Sequence, residues 1–269
     1  METREEKDTL GDRMKVYEAE ALSHDRDVDG IVVLRLDGCH FHTWTKAAKV
    51  EKPFDDYMIK AMQSAAKTLC EQIPSCIMAY TQSDEITIVL RKGNKETSEP
   101  WYANRIQKLC SVSAAICSVA FNDEIRRLRR NSLVGFPETV PMAFFDSRVM
   151  FLPDVDEVVN NLIWRQNDCM RNSVSAMAQS FFTQRELLNK NRDQQLEMML
   201  SQRGFDWNNL PAYERLGSLV HKRRIDDSYQ GVPFSRSVFY IDDKIPRFTE
   251  DKQFLLDAYN FTLGTNGQG

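Results

Sequence analysis

Two acidic residues stand at the ends of two apolar segments that the sequence predicts to be strands. Residues 31–36 are mostly β-branched or apolar and lead directly into Asp37, which predicts a short buried strand ending in a carboxylate. Asp84 lies in a polar turn, immediately before a second apolar segment at residues 85–90. If the two strands are antiparallel neighbours, both carboxylates lie at the same edge of a sheet.

A pair of carboxylates at such an edge could hold magnesium. Two ions roughly 3.5 to 4 Å apart stabilise the attacking and leaving oxygens of phosphoryl or nucleotidyl transfer. The alternative is a purely structural role, because Asp-Gly and Ser-Asp-Glu are common turn sequences. Asp37 and Asp84 each fit that alternative alone, and their matching positions at strand ends favour a shared site.

Several basic and polar residues stand where a phosphate group would need them. Arg35 lies two residues before Asp37 on the same strand face, so its guanidinium could reach a phosphate near the metal or pair with an acid. The backbone amides after Gly38 could bind a triphosphate as a nest of N–H groups does. Three side chains recur at spacing three on a predicted helix, as a phosphate-binding stripe or a solvated face: Arg105, Lys108 and Ser111.

Two basic clusters and two histidines complete the candidates. Residues 126–130 hold four arginines and residues 221–224 read His-Lys-Arg-Arg, so both could contact an RNA backbone or be merely exposed. His40 and His42 flank Phe41 without a set of further ligands at zinc spacing. This pattern favours packed or substrate-contacting histidines over a zinc site.

The elements that must position these residues follow from the apolar periodicity. Helical spacing predicts helices over about 10–22, 57–73 and 101–122, and apolar runs predict strands at 31–38, 76–80, 85–90 and 144–152, with a polar loop at 92–98. The order strand, helix, strand, strand, helix, strand is that of a ferredoxin-like fold. Its first and third strands are central antiparallel neighbours, which is the adjacency that Asp37 and Asp84 require.

Beyond Pro153 the sequence becomes mainly helical. We predict helices at 155–183 and 192–202, a helix or turn followed by a strand within 210–225, and an edge strand at 238–241. The whole is an α+β protein with a catalytic domain at 1–152, a mainly helical extension packed on it at 153–263, and a disordered tail at 264–269.

The sequence argues against a secreted protein and against a membrane protein. The N-terminal residues are charged, and no apolar run approaches the roughly 18 residues of a membrane span. Six cysteines without Cys-x-x-Cys spacing indicate reduced thiols, so we expect a cytoplasmic protein, with an organelle as the alternative. The net charge of −4 argues against a protein that coats nucleic acid indiscriminately, although local basic clusters can still bind it.

Five motifs in this order resemble the tRNA-histidine guanylyltransferase family, the 3′ to 5′ nucleotide polymerases. They are LGDRMKVYE at 10–18, RLDGCHFH at 35–42, YTQSDE at 80–85, FDSR at 145–148 and WRQNDC at 164–169. The resemblance implies a palm domain like that of conventional polymerases, two Mg²⁺ ions, and activation of a tRNA 5′ end by ATP or GTP followed by nucleotide addition there. It also implies a homotetramer.

The resemblance also implies roles for individual residues. Asp37, the Gly38 carbonyl and Asp84 would bind metal, and Ser83 and the catalytic Glu85 would shape the adjoining turn. Bordering the incoming nucleotide would be Cys39, His40, Phe41, His42, Lys52, Asp55 and Asn172, and holding its triphosphate would be Arg35, Arg105, Lys108, Ser111 and Arg148.

One segment departs from the family pattern. Where the histidine-tRNA enzymes resemble each other as His-Ile-Asn-Asn-Leu-Tyr-Asn, this chain reads Met-Arg-Asn-Ser-Val-Ser-Ala at 170–176, and only Asn172 is retained. The loss resembles the "-like protein" branch, whose members repair 5′-truncated tRNAs. The expected activity is therefore template-dependent 3′ to 5′ addition to tRNA.

Three alternatives remain. The first is a tRNA-histidine guanylyltransferase that adds G at position −1. The second is a nucleotidyl cyclase on the same palm, which would need no RNA. The third is a non-enzymatic RNA-binding module of the RRM type, which stacks bases on aromatic side chains of its central strands. Residues 85–90 hold no aromatic residue and begin with an acid, which argues against that module.

Overall fold

One antiparallel sheet of six strands runs through the part of the chain that the structure, a computed structural model, describes: residues 9–20, 30–91, 99–130, 140–229 and 232–263. The strands lie in the order β4-β1-β3-β2-β5-β6. In chain order they are β1 (Ile31–Gly38), β2 (Cys76–Gln82), β3 (Glu85–Leu90), β4 (Phe145–Leu152), β5 (Ser218–Tyr229) and β6 (Val232–Asp242). With helices on both faces of the sheet, the predicted α+β class is confirmed.

The central four strands have the ferredoxin-like order. β1 lies between β3 and β4 and is antiparallel to both, so the predicted adjacency of the first and third strands is confirmed. In the register of the sheet, Asp37 lies directly opposite Glu85 on β3 and Asp146 on β4. Directly opposed residues point to the same face, so three acidic side chains form a row across three strands.

Eight helices lie in the described residues. They are α1 (Leu10–Glu20), α2 (Phe41–Ala47), α3 (Asp56–Gln72), α4 (Ile106–Arg130), α5 (Val155–Phe181), α6 (Arg192–Arg203), α7 (Ala212–Leu216) and α8 (Lys252–Leu263). Side-chain caps begin several of them: the Asp154 carboxylate accepts from the Glu157 N–H at 2.9 Å at the start of α5. Gly204, with φ of 64°, ends α6 in the left-handed conformation that glycine adopts without strain.

Alternation along the central strands builds two apolar cores, one on each face of the sheet. Val32, Leu34 and Leu36 point toward α3 and α4, whereas Ile31 and Val33 point toward α5. Each of these side chains is buried. The sheet is therefore covered on both faces, and the end of β1 is left as the edge from which polar groups can reach a ligand.

Several elements differ from the sequence prediction. The polar connection after β1 contains α2, because Phe41 and Trp44 stack with ring centroids 5.0 Å apart and bury themselves in the core. α4 begins at 106 and continues to 130, after a separate 3₁₀ turn at 101–104. Near the C-terminus, β5 and β6 form a long hairpin that extends the sheet, where one short edge strand and a strand within 210–225 were expected, and α8 was missed.

Some predictions are left as they were. The loop at 92–98 and the tail at 264–269 lie outside the described residues. The division into a palm at 1–152 and an extension at 153–263 stays a prediction, since both segments contribute strands to the same sheet.

All six cysteines are free thiols, as expected. Among the described helices, none combines the length and the apolarity needed to span a bilayer.

Candidate active site

The turn between β2 and β3 brings Asp84 to the end of β1. The Gly38 N–H donates to the Asp84 carbonyl at 3.1 Å, so the two predicted metal-binding segments are joined directly. Ser83 has a left-handed backbone with φ of 49°, as tight two-residue hairpin turns require, and its hydroxyl donates to the Asp84 carboxylate at 3.0 Å. The Phe41 ring packs against Gly38 and leaves no room there for a Cβ atom.

The Asp84 carboxyl lies in an environment that disfavours its charge. Burial raises its pKa, the negative charge of Asp37 adds to the rise, and the hydrogen bond from Ser83 opposes it. Arg148 is the basic side chain beside the row, but its nitrogen atoms lie 3.9 Å from Asp37 and 3.7 Å from Asp146, and all three groups are well exposed. A cation between Asp37 and Asp84 would relieve their repulsion.

The residues at this edge fit a magnesium ion that is bound partly by substrate and water, and they do not form a metal site with protein ligands alone. Among the described residues, no group of three or more His, Cys, Asp or Glu side chains is placed to hold a metal ion. Mg²⁺ characteristically uses one or two carboxylates and completes its shell with water and substrate phosphates. Two carboxylates and the Gly38 carbonyl match that pattern, so Asp37 and Asp84 are suitable ligands when a nucleotide is bound.

A cavity of about 300 Å³ opens beside the carboxylates, and we call it the acidic cavity. The end of β1, the β2–β3 turn and one face of α5 form its walls. It is lined by Arg35, Asp37, Gln82, Ser83, Asp84, Glu85, Arg165, Asp168 and Asn172. The structure therefore brings together six of the predicted site residues, and one of them, Arg35, could balance phosphate charge.

Glu85 is bound to an arginine and is not free to contact a metal. Its two carboxylate oxygens accept from Nε and Nη2 of Arg165, both at 2.7 Å, and Arg165 also donates to Asp168 at 2.8 Å. Burial raises the pKa of Glu85, and the Arg165 charge opposes this. Because Glu85 directly follows Asp84, this buried ion pair attaches the acid-bearing turn to α5.

A second cavity of about 250 Å³, which we call the side cavity, adjoins the first and shares Gln82, Ser83 and Asn172 with it. Its remaining walls are formed by Thr45, residues 50–55, Met58, Ile59, Tyr213, Glu214 and the α5 side chains Cys169, Ser173 and Ala176. Both predicted nucleotide-contacting residues of the 50–59 segment, Lys52 and Asp55, line it.

The Asp55 carboxylate is already engaged with the backbone. It accepts from the Met58 N–H at 2.8 Å and from the Glu51 N–H at 2.9 Å, and so caps α3 and closes the preceding loop. Asp55 thus shapes the wall of the side cavity through these bonds.

The residues just after Gly38 lie outside the linings of both cavities. Phe41 is a core residue, and His40 and His42 are exposed. The Cys39 thiol lies close to the acid row: burial raises its pKa, and the charges of Asp146 and Asp37 raise it further.

The predicted phosphate stripe lies at the start of α4, with its first residue, Arg105, directly before the helix. Arg105, Lys108 and Ser111 are all exposed and line neither cavity. The neighbouring Cys110 has its pKa raised by burial and by the charge of Asp146, which places this end of α4 near the acid row. The stripe is therefore suitably located for a triphosphate that extends from the carboxylates.

The two basic clusters lie in different surroundings. Arg126 and Arg127 pair with Asp123 and Glu124 one turn earlier on α4, at 3.3 and 2.6 Å. In the second cluster His221 packs against Tyr240, with ring centroids 4.5 Å apart, and burial lowers its pKa. The arginines that follow His221 are exposed on the projecting part of the β5–β6 hairpin.

Sequence reasoning missed three charged residues of this region. Asp146 lies opposite Asp37, and Arg165 with Asp168 forms part of the acidic cavity. Each belongs to one of the five family motifs, so its presence was visible but its partner was not. The spacing of Arg165 and Asp168 by three on a helix was the available signal for that pair.

Comparison with known proteins decides the family. The family model described as Thg1, tRNAHis guanylyltransferase, matches residues 11–153. An uncharacterized protein of Acanthamoeba polyphaga mimivirus is 30% identical over 92% of this chain and 91% of its own length. The chain belongs to the tRNAHis guanylyltransferase family. The family is one of nucleotidyltransferases, so the protein is an enzyme and the RRM-type alternative is wrong.

Other members of the tRNAHis guanylyltransferase family agree. A probable tRNA(His) guanylyltransferase of Dictyostelium discoideum is 27% identical over 77% of this chain and 80% of its own. A bacterial Thg1-like protein solved in complex with ATP is 33% identical, with a TM-score of 0.72 over 92% of this chain and 97% of that chain. A bacterial Thg1-like protein in complex with GTP is 32% identical, with a TM-score of 0.71 over 93% of this chain and 98% of that chain. The predicted likeness to the Thg1-like branch is confirmed.

The segment that departs from the tRNAHis guanylyltransferase pattern, residues 170–176, contributes side chains to two different faces of α5. Asn172, Ser173 and Ala176 line the side cavity. Met170 is buried on the other side of the helix, away from both cavities. The lost polar groups therefore affect the side cavity mainly through Ser173 and Ala176.

Proposed function

We propose that the protein extends the 5′ end of tRNA in the 3′ to 5′ direction, and that the opposite strand selects each added base. Selection of the added base by the opposite strand is inferred from the side chains that α5 contributes to the wall of the side cavity. There Ala176 offers no hydrogen-bonding group, and the Ser173 hydroxyl accepts from Trp207 Nε1 at 3.0 Å. Asn172 is the remaining polar side chain of this wall beside the Cys169 thiol. A wall with so few polar groups discriminates weakly between bases, which leaves the selection to base pairing.

The reaction divides into two transfers. In the first, an oxygen of the tRNA 5′-phosphate attacks the α-phosphorus of ATP or GTP and releases pyrophosphate. In the second, the 3′-hydroxyl of the incoming nucleotide attacks the activated 5′-phosphorus, loses its proton and releases AMP or GMP. Asp37, Asp84 and the Gly38 carbonyl would hold Mg²⁺, which supplies stabilisation of the attacking and leaving oxygens.

The remaining residues bind and position. Arg35 and Arg148 flank Asp37 and are suited to bind phosphate oxygens, and the α4 stripe is suited to the outer phosphates. Arg165 holds Glu85 and so keeps Asp84 in place, which makes it a positioning residue. The side cavity, with Lys52 and Asn172 in its wall, would hold the base of the incoming nucleotide.

The experiment uses a tRNA that lacks its first nucleotide. Four transcripts differ only in the acceptor-stem base opposite the gap, and each is incubated with Mg²⁺, ATP and all four nucleoside triphosphates. We expect the added base to complement the opposite base in all four transcripts and addition to slow once the stem is fully paired. Sequencing of the 5′ ends reads the result, and Asp37→Ala is the inactive control. Addition of G to all four would contradict templated selection.

The family name favours a second candidate, addition of G at position −1 of tRNAHis. Full-length tRNAHis, added to the experiment as a fifth substrate, tests that activity, and extension of this substrate alone would establish it. A nucleotidyl cyclase is tested by incubation with ATP or GTP alone and a search for a cyclic product. A homotetramer in the cytoplasm or an organelle belongs to the proposal as well, and light scattering of the purified protein tests the assembly.

A further inference from the structure

A third cavity, which we call the rear cavity, lies on the opposite side of α5 from the candidate active site. Its volume is about 410 Å³, and Asn167, Met170 and Val174 of α5 form one wall. Asn172 and Ala176, which line the side cavity, are displaced by about half a turn around the same helix. The two transfers proposed for the active site use no residue of the rear cavity.

Two arginines from separate parts of the chain line the rear cavity. Arg192 comes from the first turn of α6 and Arg247 from the segment before α8, and no acidic side chain is among the described residues that line it. Their partners lie beside the cavity: Asp193 contacts Arg192 at 3.2 Å, and Glu250 contacts Arg247 at 3.2 Å. Those two acids are 79% and 67% exposed, so the pairs are weak and leave both guanidiniums able to bind another anion.

A third arginine adds to the positive potential. The Arg215 guanidinium lies 5.3 Å from the centroid of the Trp207 ring, which is itself a wall of the rear cavity. The pKa of Arg215 is lowered by burial and then by the charge of Arg247, with Asp206 opposing. Like charges have thus been brought close together without full compensation, as happens where a protein binds an anion.

The rest of the lining suits a phosphate group. Asn208 and Thr249 provide neutral hydrogen-bond donors beside the two arginines, while Met170 and Val174 form a buried apolar floor. Arginine matches phosphate with two parallel N–H···O bonds. An apolar floor lowers the local dielectric constant and strengthens such bonds.

We propose that the rear cavity is a phosphate-binding site, filled by a backbone phosphate of RNA or by the polyphosphate of a free nucleotide. The proposal deepens the proposed function, because an enzyme that extends RNA meets both ligands. It does not depend on which base is added.

The test compares Arg192→Ala/Arg247→Ala with the wild type. The control is Arg185→Ala, which removes an exposed arginine outside the cavity. Binding of inorganic tripolyphosphate and of tRNA is measured by calorimetry in EDTA, so that metal-bridged binding at the carboxylates does not contribute. We expect the double variant to lose at least about tenfold in affinity for one of the two ligands, since each arginine supplies charge-assisted hydrogen bonds.

The two sources give different results. Loss of tripolyphosphate binding alone identifies a free nucleotide. Loss of tRNA binding, with a salt slope reduced by about 0.7 to 0.9 for each phosphate that is no longer bound, identifies RNA. Unchanged affinity for both ligands overturns the proposal, as does an equal loss in Arg185→Ala. If the double variant does not fold, Arg192→Gln and Arg247→Gln replace it singly. The base-addition experiment decides the proposed function separately.

Discussion

Replacing Arg165 by Met should destabilise the protein strongly, because it leaves a buried carboxylate without its partner. Arg165 and Glu85 have side chains only 8% and 9% exposed and share two hydrogen bonds of 2.7 Å. Removing one partner of a buried ion pair typically lowers the free energy of unfolding by about 3 to 5 kcal/mol. Asp168 is spared this cost, because it keeps its bond to Arg171.

Urea unfolding followed by circular dichroism measures the effect. For an m-value of about 3 kcal/mol/M, at the upper end of the usual range as suits a chain of this size, the midpoint should fall by about 1 to 1.7 M. Nucleotide addition, assayed at a temperature where Arg165→Met remains folded, should fall by about a hundredfold, because the Asp84 turn loses its attachment to α5.

Arg171→Met is a matched control on the same helix. Arg171 binds the same Asp168, at 2.6 Å, but its side chain is 62% exposed. Exposed pairs contribute about 0 to 1 kcal/mol, so its midpoint should stay within about 0.3 M of the wild type. The double variant Arg165→Met/Glu85→Met should recover most of the stability, because it removes the stranded charge. A midpoint for Arg165→Met equal to that of Arg171→Met would refute the reasoning.

Three further predictions concern the carboxylates and the basic clusters. Asp37→Ala and Asp84→Ala should each lower nucleotide addition by about a thousandfold or more without lowering the urea midpoint, and retained activity would contradict the site. In EDTA, Asp84→Asn should be more stable than the wild type at pH 7. The pKa of Asp84 is raised in the folded protein, so the wild type loses stability as the pH rises through it. The stability difference between Asp84→Asn and the wild type should disappear below about pH 4, near the unfolded pKa of aspartate. Urea midpoints measure this difference, and a difference of the same size at pH 4 and at pH 7 would refute the prediction. Neutralising the cluster at 126–130 or at 221–224 should reduce the salt slope of tRNA binding by about 0.7 to 0.9 for each RNA phosphate that the cluster binds, whereas an unchanged slope means that the cluster is merely exposed.

Much of the catalytic edge could be predicted from local sequence. β1 and β3 lie at the predicted residues, because alternating burial and turn chemistry are set by near neighbours in the chain. Asp37 and Asp84 were placed together from the order of strands and helices alone. Short connections leave few ways to arrange those elements, so local signals were sufficient there.

Local signals were insufficient where distant packing creates the element. α2 has only seven residues, too few to form a stable helix alone, and it exists because Phe41 and Trp44 pack into the core. The β5–β6 hairpin was underestimated for a similar reason. Its inner end is paired to β2, and that pairing joins residues more than a hundred positions apart.

The sequence by itself determined the strands, the acids at their ends and the family motifs, because these depend on neighbouring residues. Only the tertiary structure decided which partner each charged group meets. Glu85 and Arg165 are 80 residues apart in the chain, and no periodicity relates them. Likewise, the arginines of the rear cavity come from α6 and from the segment before α8, and they meet only because both segments pack on the far side of α5. Ion pairs and cavities depend on how the elements pack, and that arrangement is set by the cores as a whole.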